Sequence, residues 1–274
     1  MNNLHRELAP VSDAAWAEIA EEAARTFRRH LAGRRVVDVQ GPAGEGLSAV
    51  GTGHIREIEA PGDGVLARQR HVLSVVELRV PFSLDREQVD DVDRGSRDSD
   101  WQPVKDAARQ LAFAEDRAIF DGYRAADIDG VRPGSSNPSI ALPADATGYP
   151  IAVATALSQL RAAGVNGPYS VVLSADAYTA ASETSDHGYP VIEHLRRMIS
   201  GDDIMWAPAI EGGLVLTTRG GDFELQLGQD ASIGYLSHTE SSVRLYLQES
   251  LTFLLLTSEA SVPLTPSPAS PLAR

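Results

Sequence analysis

Ser185, Asp186 and His187 are the residues whose types come closest to a nucleophilic catalytic set. A serine nucleophile needs a histidine base within hydrogen-bonding distance and an acid that orients the histidine ring. Three consecutive residues cannot point their side chains at one another in such a relay. The segment 185–190 is therefore interpreted as an exposed loop, and a serine-type hydrolase built around His187 is kept as an alternative hypothesis.

Two other patterns could hold a ligand, and neither has its full set of residues. Glu18, Glu21 and Glu22 could contribute to a carboxylate iron site, but such sites need Glu-x-x-His pairs on facing helices, which we do not find. Gly51-Thr52-Gly53 lacks the third glycine and the following helix of a nucleotide-binding turn. We expect no catalytic residue, no metal site and no cofactor.

Composition is ordinary for a globular protein, with 43% hydrophobic and 23% charged residues among 274. The net charge of −14 repels nucleic acid and anionic lipid, so we expect neither as a partner. The absence of cysteine fits a cytoplasmic protein. Residues 1–7 lack the apolar run of a secretory signal, and the longest apolar stretch, 251–256, is too short to span a bilayer.

Apolar residues that recur with a period of 3.6 predict the helices that must position these groups. The first helix begins at Ser12 or Asp13 and ends before Gly33. The longest is predicted over 101–123, and its length of about 34 Å suggests a spine on which other elements lie. Shorter helices are predicted over 150–163, 176–183 and 191–199.

Alternation of apolar and polar residues predicts a strand with one apolar face over 76–85. Pro81 places this strand at an edge or a bend of a sheet. The apolar face needs a covering sheet, for which a neighbouring subunit is one source. Further strands are predicted over 169–173, 204–208, 214–216, 223–227 and 243–248.

A turn, a connector and a tail are also predicted. Gly220-Gly221 separates the runs 214–216 and 223–227 and predicts a hairpin between them, because paired glycines permit positive φ. The segment 85–100 is interpreted as an acidic connector. The proline-rich tail, which begins at Pro263, is expected to be disordered or extended.

Several separated blocks of the sequence resemble the encapsulins, bacterial shell proteins with the fold of a tailed-phage capsid. The resemblance runs from Asn3 to about Leu264, and the sequence is most similar to the actinobacterial members of the family. The blocks that carry it are the first helix with Gly33 to Val39, Pro81 to Leu84, Arg94-Gly95, Ala114 to Phe120, Gly167 to Tyr169, His187 to Pro190 and Arg219 to Tyr235.

The resemblance implies an α+β fold of the HK97 capsid type, with a peripheral lobe, an axial lobe and an extended loop. The implied parts are an N-terminal helix (1–33), a peripheral lobe with the spine helix (34–49, 81–147 and 212–264), an extended loop (50–80), an axial lobe (148–211) and a disordered proline-rich tail (265–274). The extended loop is expected to pair with a neighbouring subunit, which would cover the apolar face that one chain leaves open.

The function that the resemblance implies is a self-assembling cage with no enzymatic activity of its own. It would be the smallest icosahedral shell (T=1, 60 copies) and enclose a dye-decolourising peroxidase or a ferritin-like protein. A C-terminal targeting peptide of the cargo would bind the inner wall through Phe27, Leu31, Arg34, Asp38, Ile233, Gly234 and Tyr235. A pore on the five-fold axis would be lined by His187, Gly188 and Tyr189.

One departure from the family concerns flavin. Members that bind flavin have a tryptophan a few residues after a Phe-Thr-Leu-Asp motif, whereas here Phe82-Ser83-Leu84-Asp85 is followed by Arg86-Glu87-Gln88. No flavin is therefore predicted. A phage-type major capsid protein is the second alternative, and the charge of −14 weighs against packaged DNA.

Overall fold

The computed structural model describes residues 3–199 and 204–267. Its α-helices are α1 (Asp13–His30), α2 (Arg86–Asp93), α3 (Gln102–Phe120), α4 (Val131–Gly134), α5 (Tyr149–Ala162), α6 (Ala175–Glu183) and α7 (Val191–Met198). Its strands are β1 (Asp38–Gln40), β2 (Ala49–Ile58), β3 (Ala67–Ser74), β4 (Val76–Asp85), β5 (Ile140–Leu142), β6 (Tyr169–Leu173), β7 (Ser185–Asp186), β8 (Tyr189–Pro190), β9 (Ile204–Trp206), β10 (Gly213–Thr217), β11 (Phe223–Leu227), β12 (Ser232–His238), β13 (Ser242–Leu255) and β14 (Ser261–Pro266).

Helix α1 begins where its sequence predicts. The side chain of Ser12 accepts a hydrogen bond from the backbone N–H of Ala15 at 3.2 Å and so caps the helix. Trp16, Ile19 and Phe27 lie on its buried face. This face packs on α3, which at 19 residues is about 28 Å long and forms the predicted spine.

Helices α1 and α3 run side by side in the same direction. Trp101 Nε1, just before α3, donates to Glu18 Oε2 at 3.2 Å. At the other end, the N–H groups of Ala32 and Gly33 donate to the carboxyl of Asp116 at 2.9 and 2.8 Å. These contacts fix where the chain leaves α1, and therefore where the next residues, including Arg34, are placed.

Two five-stranded sheets form the framework. In the first, the order is β1-β11-β13-β12, and β4 pairs with β13 as well. In the second, the order is β5-β14-β10-β6-β9. One hydrophobic cluster joins α1, α2 and α3 to the first sheet, and a larger one joins α5, α6 and α7 to the second sheet.

The hairpin predicted around Gly220-Gly221 is wrong. Both glycines have positive φ, at 84° and 80°, as the turn requires. However, β10 before the turn belongs to the second sheet and β11 after it to the first. The turn therefore carries the chain from one sheet to the other, because β10 pairs with β6 and β14 whereas β11 pairs with β1 and β13.

The sheet that β4 needs comes from the same chain, so a neighbouring subunit, one source considered for it, is not required. Strand β4 pairs with β13 of the same chain over its whole length, from Asp85↔Ser242 to Val76↔Leu251. The predicted edge position is confirmed, since β13 is the only strand that pairs with β4 within the described residues. Pro81, opposite Tyr246, is tolerated there.

The segment that lacks a partner within the described residues is the hairpin of β2 and β3. These strands pair only with each other. Ile55, Leu66 and Val72 expose 57%, 87% and 48% of their surface on this hairpin. A two-stranded ribbon with this much exposed apolar surface is typical of a segment that packs against another chain.

Two further expectations need correction. Part of the acidic connector, 85–100, is the helix α2, whose first turn is capped by Asp85 through the N–H of Glu87 at 2.8 Å. The tail begins later than predicted, because β14 continues to Pro266 between β5 and β10. Residues 268–274 lie outside the described part of the chain.

Candidate functional site

An apolar groove of about 660 Å³ lies between α1, the N-terminal segment and β12. Ala23, Phe27 and Leu31 are spaced four residues apart, so they follow one line along the end of α1 and form one side of the groove. Ile233 and Leu247, a cross-strand pair of β12 and β13, form the other side. All five are buried, which leaves a narrow aliphatic and aromatic channel.

The N-terminal segment completes the groove. The carbonyl of Leu4 accepts a hydrogen bond from the N–H of Tyr235 at 2.8 Å, which anchors the segment to the edge of β12. The side chain of Leu4 is buried and lines the groove. The guanidinium of Arg6 lies 4.1 Å from the ring centre of Trp16, and this cation–π contact holds the segment against α1.

Gly234 and Tyr235 shape the wall of this groove without lining it. A Cβ atom at Gly234 would lie 2.1 Å from Cζ of Tyr246, so only glycine admits that ring across the strand pair. The hydroxyl of Tyr246 donates to the carbonyl of Asn3 at 3.3 Å. The hydroxyl of Tyr235 lies 2.6 Å from Nδ1 of His238, which directs it away from the groove residues.

Arg34 lies at the polar end of the groove and is bound by three carboxyl groups. Its Nε and Nη2 donate to Glu115 at 2.7 and 2.6 Å. Its Nη1 donates to Asp230 at 2.7 Å, and Nη2 approaches Glu249 at 3.3 Å. Glu115 and Glu249 are fully buried, whereas Asp230 is about half exposed and lines the groove.

Burial shifts the pKa of two carboxyl groups in and next to this cluster, Glu249 and Asp116. It raises the pKa of Glu249 well above the ordinary 4.5, and the neighbouring Glu115 raises it further against the effect of Arg34. Burial likewise raises the pKa of Asp116 to about 7, although the N–H groups of Gly33 and Ala32 oppose the shift. The groove therefore ends at the guanidinium of Arg34, beside a second buried carboxyl group, Glu249, that holds its proton to unusually high pH.

Asp38 lies outside the groove, although the resemblance placed it with Arg34. It begins β1, and its Oδ2 accepts a hydrogen bond from the N–H of Gly221 at 2.6 Å. It therefore stabilises the turn that connects the two sheets. The structure brings together Phe27, Leu31, Arg34 and Ile233 and separates Asp38 from them.

The segment 185–190 forms a tight hairpin. Strands β7 and β8 pair, and both central residues have positive φ, 48° at His187 and 81° at Gly188. The His187 side chain is 98% exposed, and its Nε2 lies 3.7 Å from Asp186. The ring of Tyr189 packs 4.8 Å from that of His194. An exposed imidazole without a hydrogen-bonded serine has no relay with which to activate a nucleophile.

Sequence reasoning missed several groove residues. Leu4 and Arg6 belong to a short segment without regular periodicity, and Leu247 is one of many apolar residues of β13. Glu115 and Asp230 lie in two blocks that carry the family resemblance, but no spacing in the sequence connects them with each other or with Glu249. Glu249 takes one of the alternate positions of β13 that are otherwise apolar, between Leu247 and Leu251, and an acidic residue at such a position is the signal that could have identified a buried cluster.

The described residues offer surfaces for contacts with other polypeptides, and neither a set of metal ligands nor a membrane-spanning helix is found among them. They contain no group of three or more His, Asp or Glu side chains that could hold a metal ion. Across the same residues, no helix is long and apolar enough to cross a membrane. The features that stand out are an apolar groove and a ribbon with exposed apolar residues, two kinds of surface that are suited to contacts with other polypeptides.

The fold is the HK97 capsid fold. The structure resembles the virus-like particle from Pyrococcus furiosus, with a TM-score of 0.64 at 14% identity over 91% of this chain and 98% of that chain. It also resembles the capsid of Myoviridae phage XM1, with a TM-score of 0.55 at 11% identity over 88% and 92% of the two chains. By its fold, this chain therefore belongs to the class of HK97-type proteins.

Within that class, residues 1–252 match the Linocin_M18 family, described as encapsulating protein for peroxidase, and the chain belongs to this family. It is 64% identical over 264 residues to the type 1 encapsulin shell protein of Rhodococcus erythropolis, covering 96% of this chain and all of that protein. It is 63% identical over 265 residues to the type 1 encapsulin shell protein of Mycobacterium tuberculosis, covering 97% and 100%. The chain is an encapsulin shell protein that assembles with copies of itself into a cage.

Proposed function

We propose that the cage is a closed T=1 icosahedron of 60 copies that encloses an enzyme, either a dye-decolourising peroxidase or a ferritin-like protein. The cargo is held by a C-terminal peptide that binds the groove between α1 and β12. The observation that supports this function is the groove itself, a preformed apolar channel of about 660 Å³ with one charged end. The description of the family, encapsulating protein for peroxidase, supports the class of cargo.

The groove suits a short extended peptide with small aliphatic side chains. Phe27, Leu31 and Ile233 offer buried apolar surface, and each methylene that enters gains about 0.8 kcal/mol. Asp230, half exposed beside Arg34, offers an acceptor that orients the peptide backbone or a basic side chain.

The predicted residues divide into three roles in this proposal. Phe27, Leu31, Arg34 and Ile233 contact the peptide, whereas Gly234 and Tyr235 set the shape of the wall. Asp38 acts on the connecting turn. One weak site on each of many identical subunits adds to a strong attachment of an oligomeric cargo, because binding of the second peptide is intramolecular.

We propose that the hairpin of His187, Gly188 and Tyr189 lines the five-fold pore. A tight two-residue turn with a fully exposed imidazole supports this position. The shell has no catalytic activity of its own, acts in the cytoplasm and binds neither nucleic acid nor membrane in this proposal. The charge of −14 supports the last point, and the shell-protein names of the relatives support the first.

The experiment that tests the groove uses a fluorescent protein fused to the C-terminal segment of a dye-decolourising peroxidase, co-expressed with the shell. Ala24→Phe fills the groove from a half-buried position of α1, whereas Ala17→Phe adds the same ring at an exposed position of the same helix. We expect particles from both variants and fluorescent cargo only in wild type and Ala17→Phe. Equal cargo in Ala24→Phe particles would place the peptide elsewhere.

A further inference from the structure

A basic cleft of about 290 Å³ lies on the other flank of α1 from the groove, between α1 and the first two turns of α3. Helix α1 contributes Arg25 and Arg29, and α3 contributes Lys105 and Arg109. Four cations around one small cleft are unusual in a chain whose net charge is −14. None of the groove residues lines this cleft.

Only two of the four cations are neutralised within the cleft. Arg25 pairs with Glu22 at 2.5 Å, and Arg109 pairs with Asp106 at 3.0 Å. In the described part of the chain, Arg29 has no carboxylate partner within 4.0 Å, and neither has the half-buried Lys105. The lining residues therefore have an excess of two positive charges that no protein group compensates.

The start of α3 adds to the positive potential. Lys105 lies one turn into α3, where the N-terminal peptide dipoles present partial positive charge. No side chain of the N-cap residue, Trp101, accepts a hydrogen bond from this turn, and Asp100 accepts one from Gln102 at 2.9 Å. Arg29 and Lys105, the two cations without a carboxylate partner in the described part of the chain, therefore line a cleft beside the positive end of this helix.

We infer that this cleft binds a small phosphate-type oxyanion, inorganic phosphate or pyrophosphate. A guanidinium and an ammonium from facing helices suit a multiply charged oxyanion, since each donates charge-assisted hydrogen bonds. The volume of about 290 Å³ admits such an anion and not a nucleic-acid chain, which the surrounding acidic surface repels. This site is independent of the cargo groove and of the proposed cargo.

The test measures pyrophosphate and phosphate binding to assembled wild-type shells by equilibrium dialysis, with the ionic strength held constant by potassium chloride. The double variant Arg29→Gln/Lys105→Gln removes the two unpaired cations. The control, Arg97→Gln/Arg161→Gln, removes two exposed cations elsewhere and changes the net charge equally. We expect saturable binding by wild type and control, and binding at least about tenfold weaker in the cleft variant.

Two results would overturn the inference: absence of saturable binding to the wild-type shell, or an equal loss in the control, which would indicate a general charge effect. If the double variant does not assemble, a structure of the wild-type particle with pyrophosphate decides the question. Density for pyrophosphate between Arg29 and Lys105 supports the inference, and absence of that density overturns it. Cargo capture is expected to be unchanged in the cleft variant. Failure of cargo capture in wild type would therefore reject the proposed groove function and leave the oxyanion result standing.

Discussion

Arg34 is the residue on which the groove most depends. Its guanidinium is the nearest cation to the two fully buried carboxyl groups of Glu115 and Glu249. Removing one member of a buried ionic cluster leaves uncompensated groups in a medium of low dielectric. Arg34 therefore maintains the stability of the subunit as well as the charged end of the groove.

Replacement of Arg34 with alanine is expected to destabilise the subunit by about 3 kcal/mol or more, because Glu115 and Glu249 lose their partner. The measurement is thermal unfolding of purified Arg34→Ala protein. Arg28→Ala is the matched control, since Arg28 is an exposed arginine that also lines the groove. Similar melting temperatures for the two variants would show that the buried cluster does not need Arg34.

The raised pKa of Glu249 predicts how the stability of the subunit changes with pH. Its folded pKa lies well above 4.5, so the stability it contributes is fully present below that value and is lost as the pH rises toward the folded pKa. Glu249→Gln mimics the protonated carboxyl group at every pH. We expect its melting temperature, relative to wild type, to increase between about pH 5 and pH 8.

The exposed residue Glu240 provides the control for this measurement. Glu240→Gln removes the same charge without any burial, and its difference from wild type is expected to stay flat over the same pH range. Asp116 also has a raised pKa, but it is present in all three proteins and cancels in the comparison. A flat difference for Glu249→Gln as well would contradict the protonated state of Glu249.

At the scale of elements, Gly234 links the edge strand β12 to the N-terminal segment. It admits the ring of Tyr246, whose hydroxyl binds the backbone of Asn3. Gly234→Ala is expected to lower stability by about 1–3 kcal/mol, because the new Cβ displaces that ring. Gly62→Ala, where no atom lies within 4 Å, is expected to be nearly neutral in the same unfolding measurement.

The contrast between helices and strands shows how much of the fold could be predicted from the sequence. Helices α1 and α3 were predicted to within three residues at each end, because their periodicity and caps are local. The partner of β10 could not be predicted, since Gly220-Gly221 indicates a turn and not which strands pair. Strand β14 was missed because its prolines favour loops, while its pairing with β10 is decided by tertiary contacts.

The candidate site, like the fold, could be predicted from the sequence only in part. Phe27 and Leu31 lie on the predicted apolar face of α1, but their place in the site, like that of Ile233, came from the family resemblance. The partners of Arg34 could not be found by spacing, because Glu115 and Glu249 lie 81 and 215 residues away along the chain. Asp38 was placed with Arg34 by the family resemblance, but the chain after Arg35 leads Asp38 to the connecting turn of the sheets.

At the scale of the whole molecule, the ribbon of β2 and β3 is the part that a single chain leaves incomplete. Its apolar residues, including Leu66 at 87% exposure, have no cover within the described residues. Assembly with identical subunits removes such surface from water and repeats the contact around symmetry axes. The groove, by contrast, is complete within one chain.

Replacement of residues 53–71 by a short glycine–serine linker is expected to prevent closure of the shell while the two sheets still fold. The physical reason is that β2 and β3 make no strand pairs with the rest of the described chain. Sedimentation velocity would show small species, and circular dichroism would show retained helix and sheet. Full-size particles from this variant would mean that the ribbon is dispensable for assembly.

The most direct test of the central claim is the mass of the purified wild-type protein in physiological buffer, measured by mass photometry at sub-micromolar subunit concentration. The account predicts a uniform hollow particle of roughly 1.8 MDa, which corresponds to 60 chains of 29.3 kDa. A single stable species at the mass of one chain would contradict it.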